Sequence, residues 1–196
     1  MLDTLPPPWR LAVAYAPAAT RDQWLTFLAL DTRLGQIVRS AREPMLAQMK
    51  LAWWRDRLAQ RAEAWPKGEP LLAALACWQD GHGALSGLVD GWEALLGDEP
   101  QPEALMAGRA AACVAMGGEG AGEMARAWAL ADAAGLIGGG AVAGLIAAQD
   151  WRRQRLPRAM RPLVILHGMA AHGRGDPVKM QKIPLFTLMR LGLFGT

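Results

Sequence analysis

The amino-acid sequence predicts an all-α protein, organised as a multi-helix bundle. Alanine and leucine dominate while β-branched residues are sparse, which favours helices over strands. Clusters of proline and glycine divide the chain, and the stretches between them carry apolar residues at helical spacing. We expect helices near 20–40, 45–63, 70–80, 84–96, 102–116, 121–136, 141–150, 158–171 and 184–193.

Length and composition indicate one domain with a substantial core. The chain has 196 residues, of which 52% are hydrophobic and 20% are charged. A single domain over 1–196 can therefore bury enough apolar surface to fold. Residues 1–19 include three consecutive prolines from Pro6 onwards and are expected to form an extended lead-in to the first helix.

The cytoplasm is the expected location. The start of the chain lacks the basic residues and apolar stretch of a signal peptide. The longest uncharged run, 133–149, has 17 residues with five glycines, whereas a spanning helix needs roughly 20 mostly apolar residues. The two cysteines, Cys77 and Cys113, are far apart, which argues against a disulfide framework and against a thiolate zinc site.

Positive charge is concentrated in the last quarter of the chain. The net charge is only +3, but 150–196 holds nine Lys or Arg and two Asp. This basic segment is either a solvated face or a patch for a membrane surface or a protein partner. No base-stacking motif interleaves with the basic residues, so nucleic acid is not an expected partner.

Asp31 lies in the middle of the apolar stripe of the first predicted helix. A buried carboxylate needs a cation nearby or it loses its charge. The candidate arginines are Arg39, Arg42 and Arg55. Arg42 and Arg55 are favoured, because the break before Pro44 folds the next helix back on the first. Asp31 is thus either half of a structural ion pair or a group that faces a ligand cavity.

The second predicted helix has apolar residues on two nearly opposite faces. A helix of this kind is typical of the inside of a bundle, so we expect it to be central. One face contains Met45, Leu46, Met49, Ala52 and Trp53, and the other contains Leu51, Trp54 and Leu58.

Common catalytic and nucleotide-binding motifs are absent. There is no P-loop, no HExxH zinc motif, no EF-hand loop and no GxSxG elbow. Asp90 and Glu93 share a helix face at i and i+3. They form either a solvated acidic face or, with further ligands, a metal site.

The most distinctive pattern is TFLALDTRLGQIVRSAREPMLAQMKLAWWRDRL at 26–58. It resembles the first-motif helix and the following helix of the squalene/phytoene synthase family. The specific part is the Arg42-Glu43-Pro44 triplet, then Gln48, then the run from Leu51 to Arg55. Three later stretches agree in order and spacing, at 88–93, 125–130 and 156–163. The resemblance implies the all-α isoprenoid synthase fold with a central cavity, here in a truncated form.

Members of this family hold Mg²⁺ with two aspartate-rich motifs on facing helices, and the metal grips a prenyl diphosphate. In this sequence Leu34 and Gly35 stand where the first aspartate pair belongs, and Val38 stands at the later aspartate. Near the second motif Asp132 is the one acid that remains. The resemblance therefore points to degenerate members, such as the complex I assembly relatives, and no metal or other cofactor is expected.

Three hypotheses follow. The first is a non-catalytic binding or assembly protein, peripheral to the inner membrane, with a prenyl or other hydrophobic ligand or a membrane-associated partner. The second is an active, Mg²⁺-dependent prenyltransferase that condenses prenyl diphosphates with relocated acids. The third is a helical scaffold that shares only bundle packing with the family. The candidate ligand and cavity residues are Asp31, Arg39, Arg42, Gln48, Trp54, Arg55, Asp90 and Asp132.

Overall fold

A computed structural model describes residues 1–118 and 120–195, and this part of the chain is helical without strands. The all-α prediction is confirmed. None of the helices in these ranges combines the length and apolar character that crossing a membrane requires. The α-helices are α1 (Pro7–Ala14), α2 (Ala18–Ser40), α3 (Pro44–Leu58), α4 (Pro70–Leu75), α5 (Ser86–Glu93), α6 (Pro102–Gly117), α7 (Ala121–Ile137), α8 (Ala143–Ala148), α9 (Arg161–Gly173), α10 (Pro177–Gln181) and α11 (Leu185–Phe194).

The first segment of the chain is not extended, so the prediction of a lead-in over 1–19 was wrong. A short 3-10 turn at Leu2–Thr4 is followed by α1. Proline is favoured in the first turn of a helix, where its missing N–H costs no hydrogen bond. The three prolines therefore start α1 rather than prevent it. Trp9 of α1 is buried and helps to cover the central helices.

The helix α3 does not lie inside the bundle, so the prediction that the second helix is central was wrong. Only one of its two apolar faces is buried, through Ala47, Leu51, Trp54 and Leu58. The other face is open to solvent, with Met45 and Met49 exposed by 69% and 65%. Sequence spacing shows that a face is apolar, but it cannot show whether another helix covers that face.

Several helix boundaries differ from the prediction, and one helix besides α1 was not predicted. The predicted helix at 45–63 ends at Leu58, and the chain folds back so that Trp65 Nε1 donates a hydrogen bond to the Arg57 carbonyl at 2.6 Å. Between the predicted helices at 158–171 and 184–193 the chain forms a further helix, α10. Its N-cap is Asp176, whose carboxylate accepts hydrogen bonds from the backbone N–H groups of Val178 and Lys179.

Close packing of α5 against α6 depends on small residues. A Cβ atom on Gly108 would overlap the backbone carbonyl of Gly87, and one on Gly91 would overlap the backbone of Leu105. The two helix backbones are therefore almost in contact. This close approach brings Trp92 of α5 beside Arg109 of α6, with the guanidinium carbon 5.8 Å from the ring centroid.

Tryptophan side chains form hydrogen bonds between segments that are far apart in the sequence. Trp24 Nε1 donates to the Ala159 carbonyl at 2.9 Å, which joins α2 to the turn before α9. Trp78 Nε1 donates to Thr26 Oγ1 at 3.0 Å. Burial of the large rings supplies much of the hydrophobic stabilisation, and the indole N–H groups find acceptors at the same time.

His167 of α9 is a buried polar residue of the core. Its side chain is inaccessible to solvent, and neither ring nitrogen has a hydrogen-bond partner among the described residues. Desolvation by burial lowers the pKa of His167 to about 4; the charge of Arg153 also lowers it and that of Asp150 opposes the change. The folded state therefore holds this imidazole neutral.

Replacement of His167 by leucine should weaken the acid sensitivity of the fold. In the unfolded chain His167 binds a proton near pH 6.5, but in the folded protein only near pH 4. Stability is therefore fully present above pH 6.5 and is lost as the pH falls towards 4, by about 3 kcal/mol. Urea denaturation of the wild type and of His167→Leu between pH 7 and pH 4.5 measures the difference.

The matched control is His172→Asn, because His172 lies on the same helix but is exposed. This variant should keep the pH dependence of the wild type. An equal loss of stability with acid in His167→Leu and in the wild type would contradict the assignment.

Candidate functional site

A buried ion cluster formed by Asp31, Arg109 and Asp132 joins three helices at the centre of the protein. Asp31 comes from α2, Arg109 from α6 and Asp132 from α7. Arg109 Nη2 is 2.7 Å from Asp31 Oδ2 and 2.8 Å from Asp132 Oδ2. Asp31 and Arg109 are inaccessible to solvent, whereas the Asp132 side chain keeps 30% of its surface exposed. One guanidinium thus bridges two carboxylates from different helices.

Three tryptophan rings surround the Arg109 guanidinium. Its central carbon lies 4.5 Å from the ring centroid of Trp128 and 5.5 Å from that of Trp9. Trp92 is 5.8 Å away and also donates its indole N–H to Asp31 Oδ1 at 2.8 Å. Electron-rich ring faces stabilise a desolvated cation. The aromatic rings and the carboxylates together compensate for the removal of Arg109 from water.

Burial and pairing act against each other in this ion cluster. Burial raises the pKa of the Asp31 carboxyl, while the charge of Arg109 and the hydrogen bonds from Arg109 and Trp92 hold it down. For Arg109 burial acts to lower the pKa, but the attraction of Asp31 and Asp132 outweighs it and the pKa is raised. The guanidinium of Arg109 therefore stays protonated and is a permanent positive charge in the site.

A cavity of about 690 Å³ opens beside the ion cluster. Arg109, Asp31 and Asp132 form part of its wall, and apolar side chains form most of the rest. The volume lies within the range of pockets that bind small organic ligands. The apolar lining comes from six helices and includes Trp9, Leu11, Trp92, Trp128, Leu136, Leu166, Met169, Met180 and Leu188.

Arg39 and Trp92 fill the space next to Gly35. The Arg39 guanidinium lies over the Trp92 ring, 5.7 Å from its centroid, and Arg39 itself is exposed at the rim of the cavity. A Cβ atom on Gly35 would stand 2.8 Å from both Arg39 Nη1 and the Trp92 ring. A side chain at position 35 would therefore displace these groups, and an aspartate there has no room.

The residues around Asp31 and Gly35 do not fit the Mg²⁺ ions that the family resemblance implies. Asp31 uses both carboxylate oxygens for hydrogen bonds from Arg109 and Trp92. Mg²⁺ requires several oxygen ligands in octahedral geometry, and no group of three acidic, histidine or cysteine side chains suited to a metal occurs among the described residues. The bridging group between α2 and α7 is instead a guanidinium.

A second, more exposed ion cluster lies between α3 and α5. Arg55 Nε donates to Asp90 Oδ1 at 2.9 Å, and its Nη2 also bonds the Glu93 carboxylate. The hydrogen bond to Glu93 is the main cause of the raised pKa of Arg55, although burial opposes it. The Asp90 and Glu93 pair therefore holds an arginine, and it ties α3 to the rest of the bundle.

The sequence-predicted site residues fall into two groups. Asp31, Arg39 and Asp132 line the cavity, whereas the others lie outside its lining. Arg42 and Gln48 are exposed near the start of α3, and Trp54 borders a smaller cavity of about 450 Å³ between α2 and α3. Asp31 is buried as expected, but its predicted partners, Arg42 or Arg55, were wrong, because Arg109 is the cation that meets it.

Sequence reasoning missed Arg109 as a site residue, although a signal was present. Arg109 is the one charged residue between Glu103 and Glu119, in a stretch of Ala, Gly and other apolar residues. A lone arginine on an otherwise apolar helix is rarely buried without a carboxylate partner. That pattern marks Arg109 as a buried cation that needs a carboxylate, but it does not identify Asp31, 78 positions away, as that carboxylate.

Removal of the Asp31 carboxylate should strongly destabilise the protein. Asp31→Ala leaves the Trp92 indole N–H without its acceptor and removes one of the two carboxylates that neutralise Arg109. We expect a loss of about 3–5 kcal/mol in the free energy of unfolding, measured by urea denaturation. Combining Asp31→Ala with Arg109→Met should recover part of this loss, because no unneutralised cation then remains in the core.

Asp90→Ala is the matched control, because it removes a carboxylate from the exposed Arg55 cluster. Its expected cost is below about 1 kcal/mol, since the Asp90 side chain is 60% exposed. Equal costs for Asp31→Ala and Asp90→Ala, or a double variant less stable than Asp31→Ala alone, would argue against the buried cluster.

Comparisons of the chain with protein-family models, with curated proteins and with solved structures gave no match.

Proposed function

We propose that this protein is a non-catalytic binding protein whose central cavity takes a prenyl or similar elongated hydrophobic ligand. The observation that carries the proposal is the cavity of about 690 Å³, whose wall is mostly apolar and whose acidic and basic groups Asp31, Arg109 and Asp132 (from α2, α6 and α7) are paired with one another. The resemblance of 26–58 to the squalene/phytoene synthase family supports the same ligand class.

The lining supports an apolar ligand with one polar end. Trp128, Leu136, Leu166 and Met169 offer ring and aliphatic surfaces from α7 and α9. At the charged wall, Arg109 Nη1 is buried and has no hydrogen-bond partner among the described residues. A buried unpaired donor is costly. An oxygen acceptor at one end of the ligand, placed against Arg109, would remove that cost.

The ion cluster supports a non-catalytic role. Departure of a diphosphate from a prenyl substrate needs metal ions that neutralise the developing negative charge. Here Arg109 binds the two acids that lie nearest to the expected metal positions, and Trp92 blocks the space next to Gly35. We therefore favour binding or presentation of a hydrophobic ligand, in an assembly or carrier role, over prenyl transfer.

A bulky side chain at position 135 should block ligand binding without disturbing the fold. Gly135 lines the cavity, and a Cβ atom there would meet only Pro177 Cβ, at 3.9 Å. Gly135→Phe therefore has room to project a ring into the open space. The ligand probe is farnesol, and binding is followed by the fluorescence of the tryptophans that line the cavity. We expect the affinity to fall at least about tenfold.

Gly144→Phe is the matched control, because Gly144 is exposed on α8 and a Cβ atom added there would have no neighbouring atom within 4 Å. This variant should bind farnesol like the wild type. Failure of the wild type to bind farnesol, farnesyl diphosphate and long-chain fatty acids would overturn the proposal. Equal affinity in Gly135→Phe and the wild type would show that binding occurs elsewhere.

Incubation with farnesyl or geranylgeranyl diphosphate and Mg²⁺ should yield no squalene or phytoene. The expectation follows because positions 34, 35 and 38 carry no carboxylate and Asp31 is bound to Arg109. Product extraction and chromatography measure the outcome. Product formed by the wild type and lost in Asp132→Asn would instead favour the alternative, an active prenyltransferase with relocated acids.

A further inference from the structure

The helix α11 has an apolar face that no described part of the chain covers. We call this surface the α11 face; it consists of Leu185, Phe186, Met189, Leu193 and Phe194. All five side chains are exposed, and Phe186 and Phe194 are exposed by 78% and 68%. At 100° per residue they span about half of the helix circumference. The opposite side of α11 is buried through Leu188, Leu191 and Gly192.

Basic residues surround the α11 face. Lys182 precedes the helix and Arg190 lies on it, and both are exposed. At the far end, the Arg161 guanidinium lies against Gly195, the residue that follows α11. Arg155 and Arg158 are exposed nearby, and their charges contribute to lowering the pKa of Arg161 after the larger effect of burial. The sequence contains no acidic residue after Asp176.

No salt bridge to a described residue neutralises these cations. In the described part of 150–196, the salt bridges are Arg152 with Asp150 and Lys179 with Asp176. Positive charge without a carboxylate partner among residues 1–118 and 120–195 therefore lies around the α11 face, on Arg155, Arg158, Arg161, Lys182 and Arg190. The apolar face and the positive rim occur together on one surface.

We infer that the α11 face docks on an anionic lipid bilayer, with its helix axis parallel to the membrane. A helix that lies in the interface buries apolar side chains among the acyl chains and keeps Lys and Arg at the headgroups. The ten residues of α11 are too few to span a bilayer. The exposed phenylalanines supply the apolar area, and the surrounding arginines supply the attraction to anionic headgroups.

The positive charge around the α11 face favours a bilayer over a second copy of this chain as the partner of that face. In a two-fold dimer the same surface faces itself, so the cations around one α11 face would stand opposite those of the other. Like charges at an interface oppose association. An anionic membrane surface instead complements the positive rim.

The α11 face also lies next to the cavity. Leu188, on the buried side of α11, belongs to the cavity lining, as do Met180 and Ile183 just before the helix. Docking would therefore place one wall of the cavity close to the membrane surface, within reach of hydrophobic molecules dissolved in the bilayer. The docking itself does not depend on an occupied cavity, so the two proposals can fail separately.

The test is co-sedimentation of the full chain with phosphatidylcholine vesicles, with and without about one quarter phosphatidylglycerol. The first variant is Phe186→Ser/Phe194→Ser, which changes only exposed side chains. Its matched control is Met45→Ser/Met49→Ser, which removes similarly exposed apolar residues from α3. A second variant, Arg155→Gln/Arg158→Gln, removes charge and leaves the apolar face intact; its control is Arg61→Gln, at an arginine exposed by 89% in the loop after α3.

Docking on an anionic bilayer predicts a consistent set of results. The wild type should bind the anionic vesicles more tightly than the neutral ones, and about 0.5 M NaCl should weaken the binding. The phenylalanine variant should bind at least about tenfold more weakly, and the arginine variant at least about fivefold more weakly. Both controls should bind like the wild type.

Three outcomes would overturn the inference. The first is binding that does not depend on phosphatidylglycerol or salt. The second is an equal loss of binding in the α3 control and in the phenylalanine variant. The third is a wild type that does not bind vesicles but forms a dimer in sedimentation velocity, together with a Phe186→Ser/Phe194→Ser variant that is a monomer. The partner of the α11 face would then be a second copy of this chain. Farnesol titration of the phenylalanine variant in the absence of vesicles tests the cavity separately.

Discussion

The contact on which the rest of the structure depends is the buried Arg109 guanidinium between Asp31 and Asp132. It connects α2, α6 and α7, and the rings of Trp9, Trp92 and Trp128 enclose it. Replacement of such a cluster by apolar residues is often neutral or stabilising, whereas loss of one partner is costly. Each of these groups therefore constrains the others, and the helices that carry them must keep their relative positions.

The same contact determines what the cavity beside it can do. Because Arg109 neutralises both carboxylates, the charged wall presents a hydrogen-bond donor rather than a set of metal ligands. Trp92 has two roles, since it donates to Asp31 and fills the space next to Gly35. The helical bundle therefore holds an apolar cavity beside a structural ion cluster.

Exposed apolar surface is distributed unevenly over the molecule. The α3 surface around Met45 and Met49 has no described covering helix, and the α11 face has none either. The α11 face combines exposed apolar side chains with exposed arginines and lysines that form no salt bridge to a described residue, and it adjoins the larger cavity. Around Met45 and Met49 the exposed charges are mixed, since Glu43 and Asp56 accompany the basic residues. Large exposed apolar patches commonly mark interaction sites. The charge around the patch distinguishes the two surfaces and indicates the kind of partner.

The sequence by itself determined the helical class, most helix positions and the burial of Asp31, because helical periodicity and apolar spacing are local properties. It could not determine that Arg109 meets Asp31, since the two residues are 78 positions apart in the sequence and lie on different helices, α6 and α2, whose relative position is a tertiary property. For the same reason the exposed side of α3 was misjudged, whereas the error at α1 was local, since the prolines there begin a helix. Whether an apolar face is covered, and which charges meet, depends on tertiary contacts that no local pattern contains.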